Sequence, residues 1–281
     1  MKKRSTLLLL SAIILLLLVN ILISQNFYIT RPGKILDLRE FVQVDNSNSN
    51  KEGSLFLVTV LQQKANLPLF IYGLADPAID LASKSRVIPP EMDYEEYREF
   101  TKQMMEESQI LAKVLALRKA GYEVPIESDG VLVVEVLENS PVNGILKNDD
   151  VIKEVDGQQV YLSEELIEKV QNKDPGDLVE LTVQRGEKVF SEKVETTSHT
   201  EDSSKAALRV LIRTLNWNPQ MPVNIEINTG SITGPSAGMM FVLEILNQLS
   251  PEDITKGKKI AGTGTVNISE KVGPIGGVKQ K

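Results

Sequence analysis

No cysteine occurs among the 281 residues, and there is one histidine, His199. The first absence excludes a thiol nucleophile, a thiolate metal site and any disulfide. It also suits a protein that folds outside the cytoplasm without having thiols to manage. The second absence excludes a metal centre built from several histidines and leaves one residue for any Ser-His-Asp triad. Positive charge is in short supply: 31 Lys and Arg against 38 Asp and Glu give a net charge of -7. A chain of that sign gives no electrostatic support to a nucleic-acid partner. The phosphate loop G-x-x-x-x-G-K-[ST] is also missing, since the glycine runs at 262–264 and 273–277 do not fit it, so nothing here points to ATP.

What is present is an ordinary globular composition, 42% apolar and 25% charged, long enough for two modest units beside a membrane segment. Met1-Lys2-Lys3-Arg4 is basic, and Leu7 to Ser24 is apolar except at Ser11, Asn20 and Ser24. As a helix that span rises roughly 27 Å, close to the hydrocarbon thickness of a bilayer. The basic end stays in the cytoplasm, so residues 25–281 are expected outside. A cleavable signal peptide has a shorter apolar region and a small-residue exit, whereas this one leaves through Ile23-Ser24-Gln25-Asn26-Phe27-Tyr28. The expectation is a single-pass anchor at 1–24.

Residues 25–52, with Arg31-Pro32-Gly33 and the polar run from Asp45 to Asn50, read as a spacer or surface loop. Leu55 to Val60 is a continuous apolar, β-branched run and reads as a buried strand. From Glu91 to Ala120 the spacing predicts a long helix: Tyr97, Phe100, Met104, Leu111 and Val114 share a face, and Gly121 ends it. Residues 53–120 are thus a strand followed by a helical segment. A stripe of this kind is core packing rather than a cofactor site.

Residues 121–197 read as a compact, mostly β unit. Val131 to Val136, Asp150 to Val155 and Leu178 to Gln184 are strands; Asp156-Gly157 is a tight turn; Ser163 is expected to cap a helix that turns Leu166, Ile167 and Val170 inward. With Ser140-Pro141 and Gly144-Ile145-Leu146, this order resembles a bacterial PDZ domain, which implies capture of an extended peptide along a sheet edge. Asp149 stands where that family usually has glycine, a change to one turn. Gly121-Tyr122 is a candidate start for the carboxylate-holding loop. A polar break at 196–202 follows, and His199 within it reads as a solvated linker position. Leu208 to Leu215 and Val223 to Ile227 read as strands of a last segment, 198–281.

Gly234-Pro235-Ser236-Ala237-Gly238 precedes an apolar helix that ends before Ser250. A serine at a loop-to-helix junction lies beside unpaired backbone N–H groups and the positive end of the helix, where an oxyanion is stabilised. A serine that merely caps a buried helix fits the same pentapeptide. A serine hydroxyl also needs a base. With no well-placed histidine, the base is expected to be a lysine, made neutral by dry, glycine-rich surroundings. Most lysines are solvated surface charges, and Lys279 reads as one of them.

Gly234 to Gly238, Ala261-Gly262-Thr263-Gly264-Thr265 and Gly273-Pro274-Ile275-Gly276-Gly277, with a lysine four positions on, resemble the proteolytic domain of Lon. Anchor, PDZ unit and this domain follow the order of the extracytoplasmic, PDZ-containing Lon-like proteases, among them pheromone-processing enzymes of Gram-positive bacteria. The resemblance implies an α+β fold whose protease domain begins near Leu55 to Val60 and receives the PDZ unit as an insertion. It implies Ser236 as nucleophile, Lys281 as general base and Thr263 as the residue whose hydroxyl helps hold the lysine. No cofactor or metal is implied. The implied partners are a peptide or unfolded protein segment, a signalling peptide among them, captured by the PDZ unit; the membrane through residues 7–24; and no nucleic acid. Oligomeric assembly is left open. Family members continue past this lysine, so the resemblance also implies a domain incomplete at its C-terminus. The α-carboxylate beside Lys281 favours its ammonium form, so little activity is expected of the 281-residue form. The rival expectation is a membrane-tethered PDZ adaptor whose Lon-like part is not catalytic.

Overall fold

The computed structural model describes residues 2–45, 47, 51–200 and 202–281. The basic end at Met1, the loop positions Asn46 and 48–50, and the linker residue Glu201 fall outside the described residues. Helix α1 (Lys2–Asn26) contains the 21-residue span Thr6–Asn26, long and apolar enough to cross a membrane, whose most apolar stretch is not buried in the folded body. Strand β1 (Phe27–Asp37) follows without a break and corrects the spacer expected over 25–52. The reason lies in Arg31-Pro32-Gly33. The register shifts between Pro32 and Ile35, so this apparent loop is a bulge inside a strand, where a proline without an N–H is tolerated. A 3-10 turn (Leu38–Glu40) and the short strand β2 (Val42–Val44) use most of the remaining segment.

Strand β3 (Ser54–Lys64) pairs antiparallel with β1, and β1 pairs with β4 (Asp80–Ser83). Between them lies the nine-residue helix α2 (Leu67–Ala75), and after them the single turn α3 (Lys84–Val87). Helix α4 (Tyr94–Lys119) opens on a capping box, with Asp93 accepting from the Glu96 backbone and Glu96 reaching back to Asp93. It closes as the sequence suggests: Gly121 has φ +93°, and the paired bonds Tyr122 N–H to Leu117 O and Gly121 N–H to Arg118 O end the helix. Leu111, Val114, Leu115 and Leu117 are buried in the main core.

The next stretch is the β unit: β5 (Val131–Val136), β6 (Val151–Val155), β7 (Gln158–Gln159), α5 (Ser163–Gln171), β8 (Leu178–Arg185), β9 (Lys188–Glu195), β10 (Thr197–Ser198), β11 (Ala206–Ala207) and β12 (Val210–Thr214). Its sheet runs β12-β5-β6-β8-β9. Residues 210–214, expected in the last segment, therefore pair with β5 and extend this sheet beyond 197. Alternation shows that such a strand buries a face; it does not show which sheet provides it. Asp156 and Gly157 both have positive φ, as their turn requires. Asp149 also has a positive φ, +68°, which explains the preference for glycine there. Two details of α5 differ from expectation. Leu162, not Ser163, precedes the helix, and Glu165 accepts from its N–H. Leu166 and Val170 are buried four residues apart, whereas Ile167, a turn of about 100° away, is exposed.

The chain then returns to the first layer through β13 (Ile225–Ile227), α6 (Gly238–Leu249), β14 (Lys259–Gly262), β15 (Thr265–Val266) and β16 (Val272–Gly273). β13 pairs with β2, and β14 runs parallel beside β3, completing the sheet β14-β3-β1-β4. Met240, Phe241 and Ile245 of α6 pack against Leu111 and Leu117 of α4.

Glu107 of α4 joins the two layers. Its carboxylate accepts from the Thr214 backbone N–H at 2.6 Å and from the Ser163 hydroxyl at 2.9 Å. Burial, reinforced by the charge of Glu164, raises its pKa to about 7 against the hydrogen bonds from Ser163 and Thr214. The folded value exceeds the unfolded value of 4.5, so its stabilising contribution is fully present below pH 4.5 and lost as the pH rises through about 7. Glu107→Gln should flatten this dependence: thermal unfolding should match wild type below that window and exceed it above, by at most roughly 3 kcal/mol. Parallel pH profiles of the two proteins would show that Glu107 is not the titrating group.

Candidate active site

Ser236 stands at the end of the loop that leads into α6. Gly234 has φ +83°, and its N–H donates to Thr101 O of α4 at 2.9 Å. The Ser108 hydroxyl, buried in α4, donates to Pro235 O at 3.0 Å. Helix α4 therefore holds the loop from below at two points. The residue at the helix N-cap is Ala237, without a side-chain cap. Ser236 does not cap the helix, and its Oγ points elsewhere.

It points at Lys281. The Nζ of Lys281 lies 2.8 Å from Ser236 Oγ and 3.1 Å from Thr263 Oγ1. Thr263 reaches this position because β14 ends at Gly262, beside the loop that carries Ser236. Gly264 N–H then donates to Ser236 O at 2.7 Å, and Met239 N–H donates to Gly264 O at 3.0 Å. Lys281 is carried back by a turn at Gly277 (φ +64°), whose carbonyl accepts from the N–H groups of Gln280 and Lys281. Lys279, on the outer side of this turn, is exposed.

Two electrostatic features follow from this packing. Burial lowers the pKa of the Lys281 amine from its ordinary value. The Thr263 hydroxyl donates its proton to Ser236 O at 2.8 Å, so toward Lys281 its oxygen can only accept. One amine N–H is thus taken by Thr263, and a neutral amine can turn its lone pair to Ser236 Oγ. The N–H groups of Ser236 and Ala237, at the positive end of α6, donate to no partner among the described residues. His199 lies elsewhere, at the β10–β11 ribbon, its N–H donating to Lys205 O. No group of three metal-ligating residues occurs among the described residues. Sequence reasoning missed Ser108 and Thr101, because nothing in a helix's own pattern marks which of its polar groups meets a loop 127 residues away.

Gly238 lies where the loop crosses α4, and a Cβ there would come within 2.6 Å of the Ser108 hydroxyl. Gly238→Ala should destabilise the fold by about 1–3 kcal/mol, and Ser108→Ala in the same chain should recover much of the loss. A neutral Gly238→Ala in thermal unfolding would mean that this contact is not tight.

Two family models match. The PDZ domain matches residues 113–196, and the Lon protease (S16) C-terminal proteolytic domain matches residues 159–281. They overlap over 159–196, where β8 and β9 lie in the β5–β12 sheet. Among solved structures, the PDZ domain of an SdrC-like protein from Listeria monocytogenes is 26% identical, over 32% of this chain and 93% of that chain, with a TM-score of 0.29. The PDZ domain of an SdrC-like protein from Listeria innocua is 30% identical, over 32% and 100%, also with a TM-score of 0.29. Both overlays involve only a third of this chain. No curated protein matches the sequence. The fold is a mixed α/β one with an apolar N-terminal helix, a PDZ domain and a Lon-type proteolytic domain.

Proposed function

We propose that this PDZ-containing, Lon-like protease is a membrane-anchored serine endopeptidase that works with a Ser236–Lys281 dyad and without ATP, with its catalytic part outside the cytoplasm. The observation that carries the reading is the 2.8 Å approach of a half-buried lysine amine to a serine hydroxyl at a helix N-terminus. In this mechanism the neutral amine takes the Ser236 proton as Oγ attacks the peptide carbonyl carbon. The negative charge that develops on the carbonyl oxygen is met by the unpaired N–H groups of Ser236 and Ala237. The ammonium returns its proton to the departing amine, leaving an acyl ester on Ser236. The amine then takes a proton from water, which attacks the ester and releases the acid, and the proton passes back to Oγ. Thr263 orients the base throughout. The β5–β12 unit supplies a PDZ surface for an extended peptide, and α1, with Arg4 and its basic neighbours on the cytoplasmic side, supplies the anchor.

A serine-reactive phosphonate should label Ser236, and Ser236→Ala should abolish both labelling and peptide cleavage with little change in thermal unfolding. Lys281→Ala and Lys281→Arg should each lower turnover by about three orders of magnitude or more, the arginine because its guanidinium does not deprotonate. Lys279→Ala should stay near wild type, and a chelator should have no effect. The activity of the wild type should rise with pH on a limb below the ordinary lysine value, the direction that burial imposes on Lys281. Retained cleavage in Lys281→Arg would rule out the lysine as base, and an unlabelled Ser236 would favour the adaptor reading.

Orientation has its own test. Protease added to intact cells should digest the part beyond Asn26, and protection of the PDZ domain until lysis would reverse the proposed topology.

A further inference from the structure

Helix α2 has the sequence Leu-Pro-Leu-Phe-Ile-Tyr-Gly-Leu-Ala, without a charged residue, and none of its residues is fully buried. Leu67, Leu69 and Phe70 lean on the end of α1, where Phe70 meets Phe27 edge to face at 5.0 Å. The last turn is bare: Ile71 is 59% exposed, Tyr72 51% and Leu74 71%. Three large, mainly apolar side chains exposed around one turn of a nine-residue helix form a patch that water does not favour.

The contact with α1 sets the depth of this helix. The Leu67 N–H donates to the Asn20 side chain at 2.8 Å, and Asn20 lies six residues before the end of α1. Six residues of helix span about 9 Å. If α1 crosses a bilayer, the start of α2 therefore lies at the same level as the apolar side chains of its last turns. Asn20 is the one polar residue between Ser11 and Ser24, and a polar group there is costly unless it is paired.

The backbone of α2 meets the same condition. A helix ordinarily leaves four N–H groups for water. Here Leu67 N–H goes to Asn20, Pro68 has none, Leu69 N–H goes to the Asn66 side chain at 2.9 Å, and Phe70 N–H goes to Asn66 O at 2.8 Å. The three positions Leu67 to Leu69 are thus closed without water, and the Phe70 bond begins the helix's own ladder. A helix in contact with hydrocarbon requires such closure, because no water is at hand there. At the far end the Tyr72 hydroxyl donates to Asp76 at 3.0 Å, so the aromatic ring has an apolar body and a polar tip at the place where the chain turns back toward water.

We propose that α2 is an interfacial helix whose exposed Ile71, Tyr72 and Leu74 side chains are covered by lipid acyl chains of the leaflet from which α1 emerges. The ectodomain is then held against the membrane by two apolar elements, α1 across the bilayer and α2 within its surface, and the protease sheet stands at a set height above it. This inference rests on the reading of α1 as a membrane anchor.

The absence of cysteine permits a direct test with the full chain. Single variants Leu16→Cys, Ile71→Cys, Leu74→Cys and Leu178→Cys each carry one nitroxide label in phosphatidylcholine–phosphatidylglycerol vesicles. Leu178, 60% exposed on β8, is the aqueous reference, and Leu16 is the reference within the span. The readout is the ratio of collision with oxygen, which partitions into lipid, to collision with a neutral nickel chelate, which stays in water. Labels at 71 and 74 should show a ratio several-fold above that at 178 and on the side of the label at 16. A ratio at 71 and 74 equal to that at 178, with 16 in lipid, overturns the proposal and leaves the anchor standing. Labels at 71 and 74 reached by neither reagent would mean cover by protein and also overturn it. A water-like ratio at 16 overturns the anchor and the proposal together.

Discussion

The contact on which the rest of the structure depends is the parallel pairing of β14 with β3, Lys259 beside Ser54 through Gly262 beside Leu57. It delivers Thr263 and Gly264 to the carbonyl of Ser236 and closes the sheet on which α4 and α6 rest. Parallel neighbours need a crossover, and this one is long, roughly 190 residues between Lys64 and Lys259. Chain entropy grows only logarithmically with such a length, so including the β5–β12 unit in the crossover adds only about 0.5 kcal/mol to its closure. The actual cost is smaller, because that unit is folded and its ends are tied together. Asp129 N–H donates to Leu215 O, Leu215 N–H donates to Gly130 O, and the Asn216 side chain donates to Asp129. A whole domain thus occupies the place of a short loop.

Helix α4 converts that arrangement into a site. Glu107 receives hydrogen bonds from Ser163 and Thr214 of the PDZ layer, while the next residue, Ser108, donates to Pro235 O beside Ser236. Consecutive side chains of one helix therefore touch the PDZ domain and the loop that carries Ser236. The tight crossing at Gly238 and the main-chain bond from Gly234 to Thr101 keep the loop on the helix, so the position of Ser236 is set by packing rather than by its own rotamer alone.

Where α1 meets α2 the same use of polar groups recurs. Asn20 and Asn66 between them satisfy the start of α2, and the apolar faces of α1 and α2 meet around Ile23, Phe27 and Phe70. Polar side chains there serve backbone donors, and at the candidate active site one serves an amine: Thr263 gives its proton to Ser236 O and keeps a lone pair for Lys281. In both places a short polar side chain fixes the direction of a neighbouring group by using up its alternatives.

The sequence by itself determined the element types, the apolar span, the PDZ order and the three segments that converge on the site, because each rests on local signals: a run, a period, a turn residue, a short motif. Leu55 to Val60, Val131 to Val136 and the helix after Ser236 were legible for that reason. The bulge at Arg31-Pro32-Gly33 was not, since its partner strand begins some twenty residues later and the local pattern is that of a loop. Nor was the sheet that receives Val210 to Thr214, because alternation is the same whichever edge it joins. The resemblance already pointed to Lys281 rather than Lys279; only the tertiary structure decided that its amine reaches Ser236, that Ser108 holds Pro235, and that Glu107 lies between the two domains. Those are contacts across 45 to 127 residues of chain, and they follow from which surfaces pack together, a property that no stretch of sequence carries alone.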